Sequence, residues 1–292
     1  MNNFGLVCIT LISDFRFRTI TRTRLRTLDT RTQVTTLRAL YRDNAGRLAR
    51  AIDFCAKRNI YLYRITSGLF PQSEDPPGYE LLDELEPLLA TIGERATSQG
   101  IRLVMHPDQF VVLSSDGAKI VENSITMLRH QARVLDFLKQ PRSPWCAIQL
   151  HGGKGGRAKQ LIKVIRGLPE EIRSRLVLEN DENAYGAAEV LEICKAAGVP
   201  MVFDAHHHVI HEGLDSYEDP SIAEMTRAAR GTWPDPEWQI VHISNGRDSF
   251  ADPKHSDFIE QVPSAYREVE WIEVEAKSKE QAIERLRRQW KS

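Results

Sequence analysis

The sequence predicts a closed (β/α)8 barrel in one domain, and three observations predict it. Eight short apolar runs rich in β-branched residues recur along the chain, each reading as a strand buried on both faces, as in parallel sheets. Longer stretches of helical periodicity separate them, and such alternation implies a parallel sheet covered by helices. No G-x-G-x-x-G follows the first run, which weighs against an open dinucleotide-binding sheet, so eight units favour a TIM-type barrel.

In order, the strands are LVCITLI (6–12), IYLYRI (60–65), IRLVMH (101–106), CAIQLH (146–151), RLVLEN (175–180), VPMVFDA (199–205), WQIVHIS (238–244) and WIEVEA (271–276). After the first strand, residues 37–59 carry apolar side chains at Leu37, Leu40, Leu48, Ile52 and Cys55, a helical stripe. YELLDELEPLLATIGERATSQG follows the second and ends at Gly100, a good C-terminal cap. IVENSITMLRHQARVLDFLKQP stops before Pro141, AAEVLEICKAAG ends at Gly198, and SKEQAIERLRRQW follows the last strand. No internal repeat or low-complexity linker interrupts the pattern, so residues 1–292 read as a single barrel domain.

Apolar residues at 41% and charged residues at 27% fit a soluble globular protein with a sizeable core. No run approaches the 18 or so apolar residues of a membrane span, and Phe4–Ile12 lacks the basic flank of a signal peptide. Cys8, Cys55, Cys146 and Cys194 are scattered and form no C-x-x-C, which fits a reducing cytoplasm and excludes a zinc ribbon. Net charge is −1, yet ten arginines lie between Arg16 and Arg50 against only Asp29 and Asp43. RFRTITRTRLRTLDTR is therefore a local cationic patch in a neutral chain.

The chemistry gathers at the strand ends. The third and fourth strands end in His106 and His151, and the fifth carries Glu179. Asp204, His242 and Glu275 follow on the next three, at steps of 45, 28, 25, 38 and 33 residues, each one strand-plus-helix unit. In a barrel those ends face one another across the mouth where active sites sit. His207 and His255 can join them. Imidazole and carboxylate donors without thiolate suit Zn²⁺, Mn²⁺ or Fe²⁺, and eight candidate ligands exceed what one ion takes, so two or three ions are implied. In VFDAHHHVIHEG, Asp204 and His207 are the expected ligands, while His206, His208 and His211 are expected to support them or face solvent. Clustered divalent ions suit phosphodiester displacement, activating a water and neutralising the phosphate and the leaving oxygen.

FRTITRTRL, MHPDQF, LENDE, FDAHHH, VHIS, KHSDFI and VEAKSKEQA, in this order, resemble the UV damage endonuclease family, a (β/α)8-barrel relative of the AP endonucleases. The resemblance runs from about residue 4 to about residue 285 and implies metal ligands at His106, His151, Glu179, Asp204, His207, His242, His255 and Glu275. It implies Mn²⁺ as the preferred ion, with Zn²⁺ or Mg²⁺ as alternatives. It further implies nicking of damaged double-stranded DNA immediately 5′ of cyclobutane dimers and (6-4) photoproducts, leaving a 3′-hydroxyl and a 5′-phosphate. Glu179, Glu275, His106 and Lys154 are then expected as the catalytic residues, Lys154 of HGGKGGRAK reaching the phosphate from the rim, with Lys277 as a further rim cation. In the family two tyrosines and a glutamine wedge into the duplex; here Gln109 matches the glutamine, while Phe110 and Leu6 take the tyrosine positions. A lysine that relatives often carry two residues before the histidine of the seventh strand is Ile240 here, and Gly68 stands where some relatives carry a further histidine.

On this reading Arg16, Arg18, Arg22 and Arg24 contact DNA phosphates; five or six such contacts would give a log–log salt slope of about −5. Such a protein would act on the nucleoid from the cytoplasm, touch no membrane, and need be no more than a monomer. Two other readings stay open: a sugar isomerase or epimerase on a related barrel, which leaves the arginine patch without a purpose, and a lesion-binding protein that keeps its metals structurally. An AP endonuclease-like specificity is a variant of the first.

Overall fold

The computed structural model describes residues 2–11 and 16–290. Eight strands, β1 (Asn3–Val7), β2 (Leu62–Thr66), β3 (Arg102–His106), β4 (Ile148–His151), β5 (Leu176–Glu179), β6 (Met201–Asp204), β7 (Ile240–Ile243) and β8 (Trp271–Val274), pair in sequence order into a closed barrel. All pairs are parallel, and β8 closes on β1 with Phe4 opposite Ile272. From β2 to β8 each strand lies within two residues of its predicted bounds. The first does not: it starts at Asn3 and ends at Val7, because Cys8 adopts a left-handed backbone (φ 63°) that turns the chain out of the sheet. Ile12, the predicted end of that strand, lies outside the described residues.

Two helices differ from their predicted extents. The first long helix begins at Thr30, seven residues before its apolar stripe, because the Asp29 side chain accepts the Thr32 N–H at 3.0 Å as an N-cap. The predicted helix after β2 is two, Gly78–Asp83 and Glu86–Ser98, the second carrying Pro87 in its first turn, where a proline cannot continue a preceding helix. Gly198 ends Ala187–Ala197 in the left-handed region (φ 72°), as its position after the apolar stripe predicts. Among the described residues no helix is long and apolar enough to cross a membrane.

Strand parity divides the interior. Side chains facing the helices, among them Phe4, Leu6, Ile65, Leu103, Met105, Leu178, Phe203 and Ile272, join one large apolar shell. Those facing the axis stack in layers. At the start of the strands Leu62, Val104, Ala147, Val177, Val202, Ile240 and Trp271 form a separate apolar floor. Further along β2 to β8, the axis-facing positions become polar: Arg64, His106, Gln149, His151, Glu179, Asp204, His242 and Glu273. The floor ends where the site begins.

Candidate metal centre

Glu179 is the hub. Its carboxylate, 1% exposed, has Oε2 3.2 Å from His106 Nε2 and 3.8 Å from His151 Nε2, and Oε1 2.9 Å from His242 Nδ1 and 3.5 Å from His207 Nδ1. Three groups of donors overlap around it: His106, His151 and Glu179; Glu179, Asp204 and His207; Asp204, His242 and Glu275. Within each group the ligand atoms lie within 4.8 Å of one another. Because Glu179 and Asp204 each belong to two groups, the three form a row rather than three separate sites.

Local structure fixes several donors. His106 Nδ1 donates to the Pro107 carbonyl at 2.8 Å, which orients the ring so that Nε2 is aimed at Glu179. His207 Nδ1 lies 3.0 Å from the Asn180 carbonyl, and Nε2 faces Glu182 at 3.7 Å. Asn180 exchanges two hydrogen bonds with the Asp204 backbone, both 2.9 Å, locking the ends of β5 and β6 together. Asp204 then caps the helix Ala205–Glu212, its Oδ1 accepting the N–H groups of His206 and His207. Among the described residues its Oδ2, buried, finds no hydrogen-bond partner, and neither does His151 Nδ1. An orphaned carboxylate oxygen among imidazoles is a donor set that fits a divalent cation.

The electrostatics follow from packing. Burial pushes the Glu179 carboxyl up, but His242 and His151 and the hydrogen bonds from His106 and His242 outweigh it and hold it well below the usual range. Burial lowers His242, yet Glu179 and Glu273 on either side raise it well above the ordinary value. For His207 burial is likewise outweighed by Asp204, Glu179, Glu182 and Glu275, and its pKa rises to about 9. Arg64 reaches across from β2 to Glu273 (3.0 Å) and Glu275 (2.5 Å) and depresses the Glu275 carboxyl against the effect of burial.

The remaining predicted residues divide. His255, on the loop after β7, has Nδ1 3.7 Å from Glu275 Oε2. Gln109 and Phe110 sit at the tip of a turn closed by Val111 N–H to the Asp108 carbonyl (2.9 Å), and Phe110 is 79% exposed. Leu6 is a correction: it is fully buried and faces the helices with Phe4, because Gly5 and Val7 take the axis-facing positions of β1, so it offers no surface to a duplex. Lys154 is a second: its ammonium bonds Asp116 at 2.9 Å on the exposed rim, beside Arg157 on the same carboxylate, and meets no member of the cluster. Arg16, Arg18, Arg22 and Arg24 are exposed, but Arg22 is already paired with Glu74 and Asp75 at 2.8 Å each and Arg18 with Asp43 at 3.5 Å. His208 bonds Ser221 at 3.0 Å and His211 is exposed, while Ile240 belongs to the apolar floor.

Sequence reasoning missed Arg64, Gln149, Glu273 and Glu182. The first three sit directly beneath the cluster, with Gln149 donating to Glu273 at 2.9 Å. The signal was there: Glu273 is two residues before Glu275 and Gln149 two before His151, hence on the same strand face.

Comparison with known proteins supplies the context. The sequence profile of the UV-endonuclease UvdE family matches residues 2–292. A UV DNA damage endonuclease of Nostoc sp. is 54% identical over 98% of this chain and 89% of its own length. That of Deinococcus radiodurans is 49% identical over 97% and 94%. The crystal structure of SacUVDE superposes with a TM-score of 0.83 over 100% of both chains at 26% identity. With a match across the whole barrel and relatives this near, the chain belongs to the UV-endonuclease UvdE family.

Proposed function

We propose that the chain is a metal-dependent repair endonuclease that incises damaged duplex DNA immediately 5′ of cyclobutane dimers and (6-4) photoproducts, leaving a 3′-hydroxyl and a 5′-phosphate. The observation that carries this reading is the row of three donor groups sharing Glu179 and Asp204 at the barrel mouth. His106, His151, Glu179, Asp204, His207, His242, His255 and Glu275 would hold two or three ions, with Mn²⁺ the best fit to the family and Zn²⁺ or Mg²⁺ as alternatives. Bound there, the ions would supply a hydroxide near neutral pH and neutralise the scissile phosphate.

The chain's own residues do the rest. Glu179 and Asp204 hold neighbouring subsites at a fixed spacing; His106, turned by Pro107, presents one nitrogen only. Arg64 keeps Glu275 Oε1 engaged, so that Oε2 faces His255. At the rim the Gln109–Phe110 turn is the lesion probe: an exposed phenyl ring can stack in the gap that a distorted base pair leaves. Leu6 takes no part. Phosphate contact falls to Arg16 and Arg24.

The test is a nicking assay with Mn²⁺ on a duplex carrying one cyclobutane dimer, beside undamaged and abasic duplexes and a His106→Ala/Glu179→Ala control. A single cut 5′ of the dimer, lost in the control, is expected. Cutting at the abasic site alone would reassign the lesion, and loaded protein that cuts none of the three would sink the reading.

A further inference from the structure

Three consecutive buried histidines open the helix Ala205–Glu212, and the helical step of about 100° sends them in three directions. His207 faces the metal centre. His208 turns outward to Ser221 and packs edge-on against Phe203, ring centroids 5.4 Å apart. His206 faces neither. Its Nε2 lies 2.9 Å from the Asp252 carbonyl and its Nδ1 2.6 Å from the Tyr217 hydroxyl. A carbonyl only accepts, so Nε2 carries a proton, while the Tyr217 hydroxyl stands between Nδ1 and the Ser244 carbonyl, 3.2 Å away. The ring is thereby held between two fixed partners.

Asp252 belongs to the loop that follows β7 and brings His255 to the mouth. That loop folds back on itself: Arg247 N–H donates to the Lys254 carbonyl at 2.8 Å, and Gly246 pairs with His255 in an antiparallel bridge. The turn is tight enough that a Cβ at Gly246 would collide with the Ser249 carbonyl. Asp252 organises it with its carboxylate, which accepts from Asp248 N–H (3.1 Å) and Lys254 N–H (2.9 Å). The base of the loop is pinned from the β8 side, where Lys277 N–H bonds the Ser256 carbonyl at 3.0 Å. Its far half is held from the other side by His206, with Tyr217 packed on Phe250 at 5.1 Å.

We infer that His206 is a positioning residue for the metal centre: by gripping the Asp252 carbonyl it sets the loop so that His255 stands against Glu275 and completes one divalent-cation subsite. The inference rests on the metal-centre reading above. It gives the His-His-His run a division of labour, one ligand, one packing residue and one loop anchor.

The test uses the full chain and Mn²⁺ alone, titrated calorimetrically with electron paramagnetic resonance to count coupled ions. His255→Ala should weaken one subsite by about 10–100-fold, the scale of lost ligand-orienting contacts, and leave the others intact. His206→Ala should weaken the same subsite to a similar extent, and His206→Gln, which keeps an amide donor for Asp252, should restore most of it. Amides of Asp248, Lys254 and Ser256 should exchange faster in His206→Ala. In the His255→Ala background, His206→Ala should add nothing, the non-additivity of two residues acting on one site. Tyr217→Phe, which keeps the ring and removes only the hydroxyl, should show the same effect in smaller measure should His206→Ala fold poorly. An unchanged isotherm for His206→Ala, or additive losses in the double variant, would overturn the anchor while leaving the metal centre standing. No effect of His255→Ala would remove His255 from the centre and the inference with it.

Discussion

Two buried arginines in one barrel show how differently its floor and its mouth are built. Arg102, at the start of β3, is fully buried, and three of its nitrogens reach backbone carbonyls: Trp145 (2.6 Å), Trp238 (2.9 Å) and Pro144 (3.1 Å). Indole rings surround it, with Trp145 at 4.5 Å and Trp271 at 5.2 Å from the guanidinium carbon. Arg64 lies one strand away and two residues higher, since Leu62 pairs with Arg102 and Arg64 with Val104. It sits between two carboxylates, both paired with Nη1, and among the described residues its Nε finds no hydrogen-bond partner. The floor's charge is saturated by neutral dipoles; the mouth's charge is set against other charges. A saturated cation stabilises a fold, whereas one held among carboxylates, imidazolium groups and an orphaned Asp204 oxygen belongs to a site that exchanges charge with solution.

That contrast can be broken at several points. The largest effect is expected from Glu179→Gln, which removes the carboxylate shared by two donor groups: single-turnover nicking with Mn²⁺ should fall by about 10³-fold or more. A loss below tenfold would take Glu179 out of the centre. Arg102→Ala strands three carbonyls and should cost at least about 3 kcal/mol in denaturant unfolding, with Mn²⁺ stoichiometry per folded molecule unchanged. Arg64→Met, which takes the guanidinium from Glu273 and Glu275, should cost about 3 kcal/mol in metal-free protein. Added Mn²⁺ should shrink that loss and leave the Arg102→Ala loss as it was. Equal responses of the two variants to metal would erase the distinction. Phe110→Ala should leave the melting temperature unchanged, because the ring is solvent-exposed, and weaken binding to a dimer-containing duplex by about 1–3 kcal/mol.

The smallest effect is a pH dependence that runs in opposite directions for metal and for fold. His207 titrates at about 9 in metal-free protein against 6.5 for a free imidazole. Its contribution to stability is therefore complete below 6.5 and is lost as pH rises through about 9. A cation must displace that proton, so apparent Mn²⁺ affinity should rise with pH over the same window, with protons released on binding. Calorimetry in buffers of different ionisation enthalpy measures the release; none at pH 7 would mean that His207 is not a ligand.

Most of the barrel was legible because a parallel strand buried on both faces reads as an unbroken apolar run, and the six strand-end donors stood out against such runs. The same property hid what was missed. With both faces apolar, nothing in LVCITLI says which parity faces the axis, and Leu6 was placed on the DNA side although it packs against helices. Arg64 and Glu273 were readable as charges inside buried strands, and WIEVEA even alternates Trp271, Glu273 and Glu275 on one face. The pairing of Arg22 with Glu74 and Asp75 was not legible, since it joins a short helix to a turn about fifty residues further on. Nor was the helix break before Glu86, where apolar periodicity runs through a Leu-Glu-Pro that the backbone cannot follow.

The donor row also ties chemistry to the history of the chain. Its members come from β3 onward to the residue after β8, and apart from Asp204 and His207 none is nearer in sequence to the next than 25 residues. No local segment can bind an ion as a finger or a helix–loop–helix does, so metal cannot template early folding. On the proposed reading, capture of the last ion and docking of β8 are one event. A chain still being synthesised, lacking Glu275, carries most of the ligands and none of the hazard: the ability to cut DNA arrives only with the finished barrel.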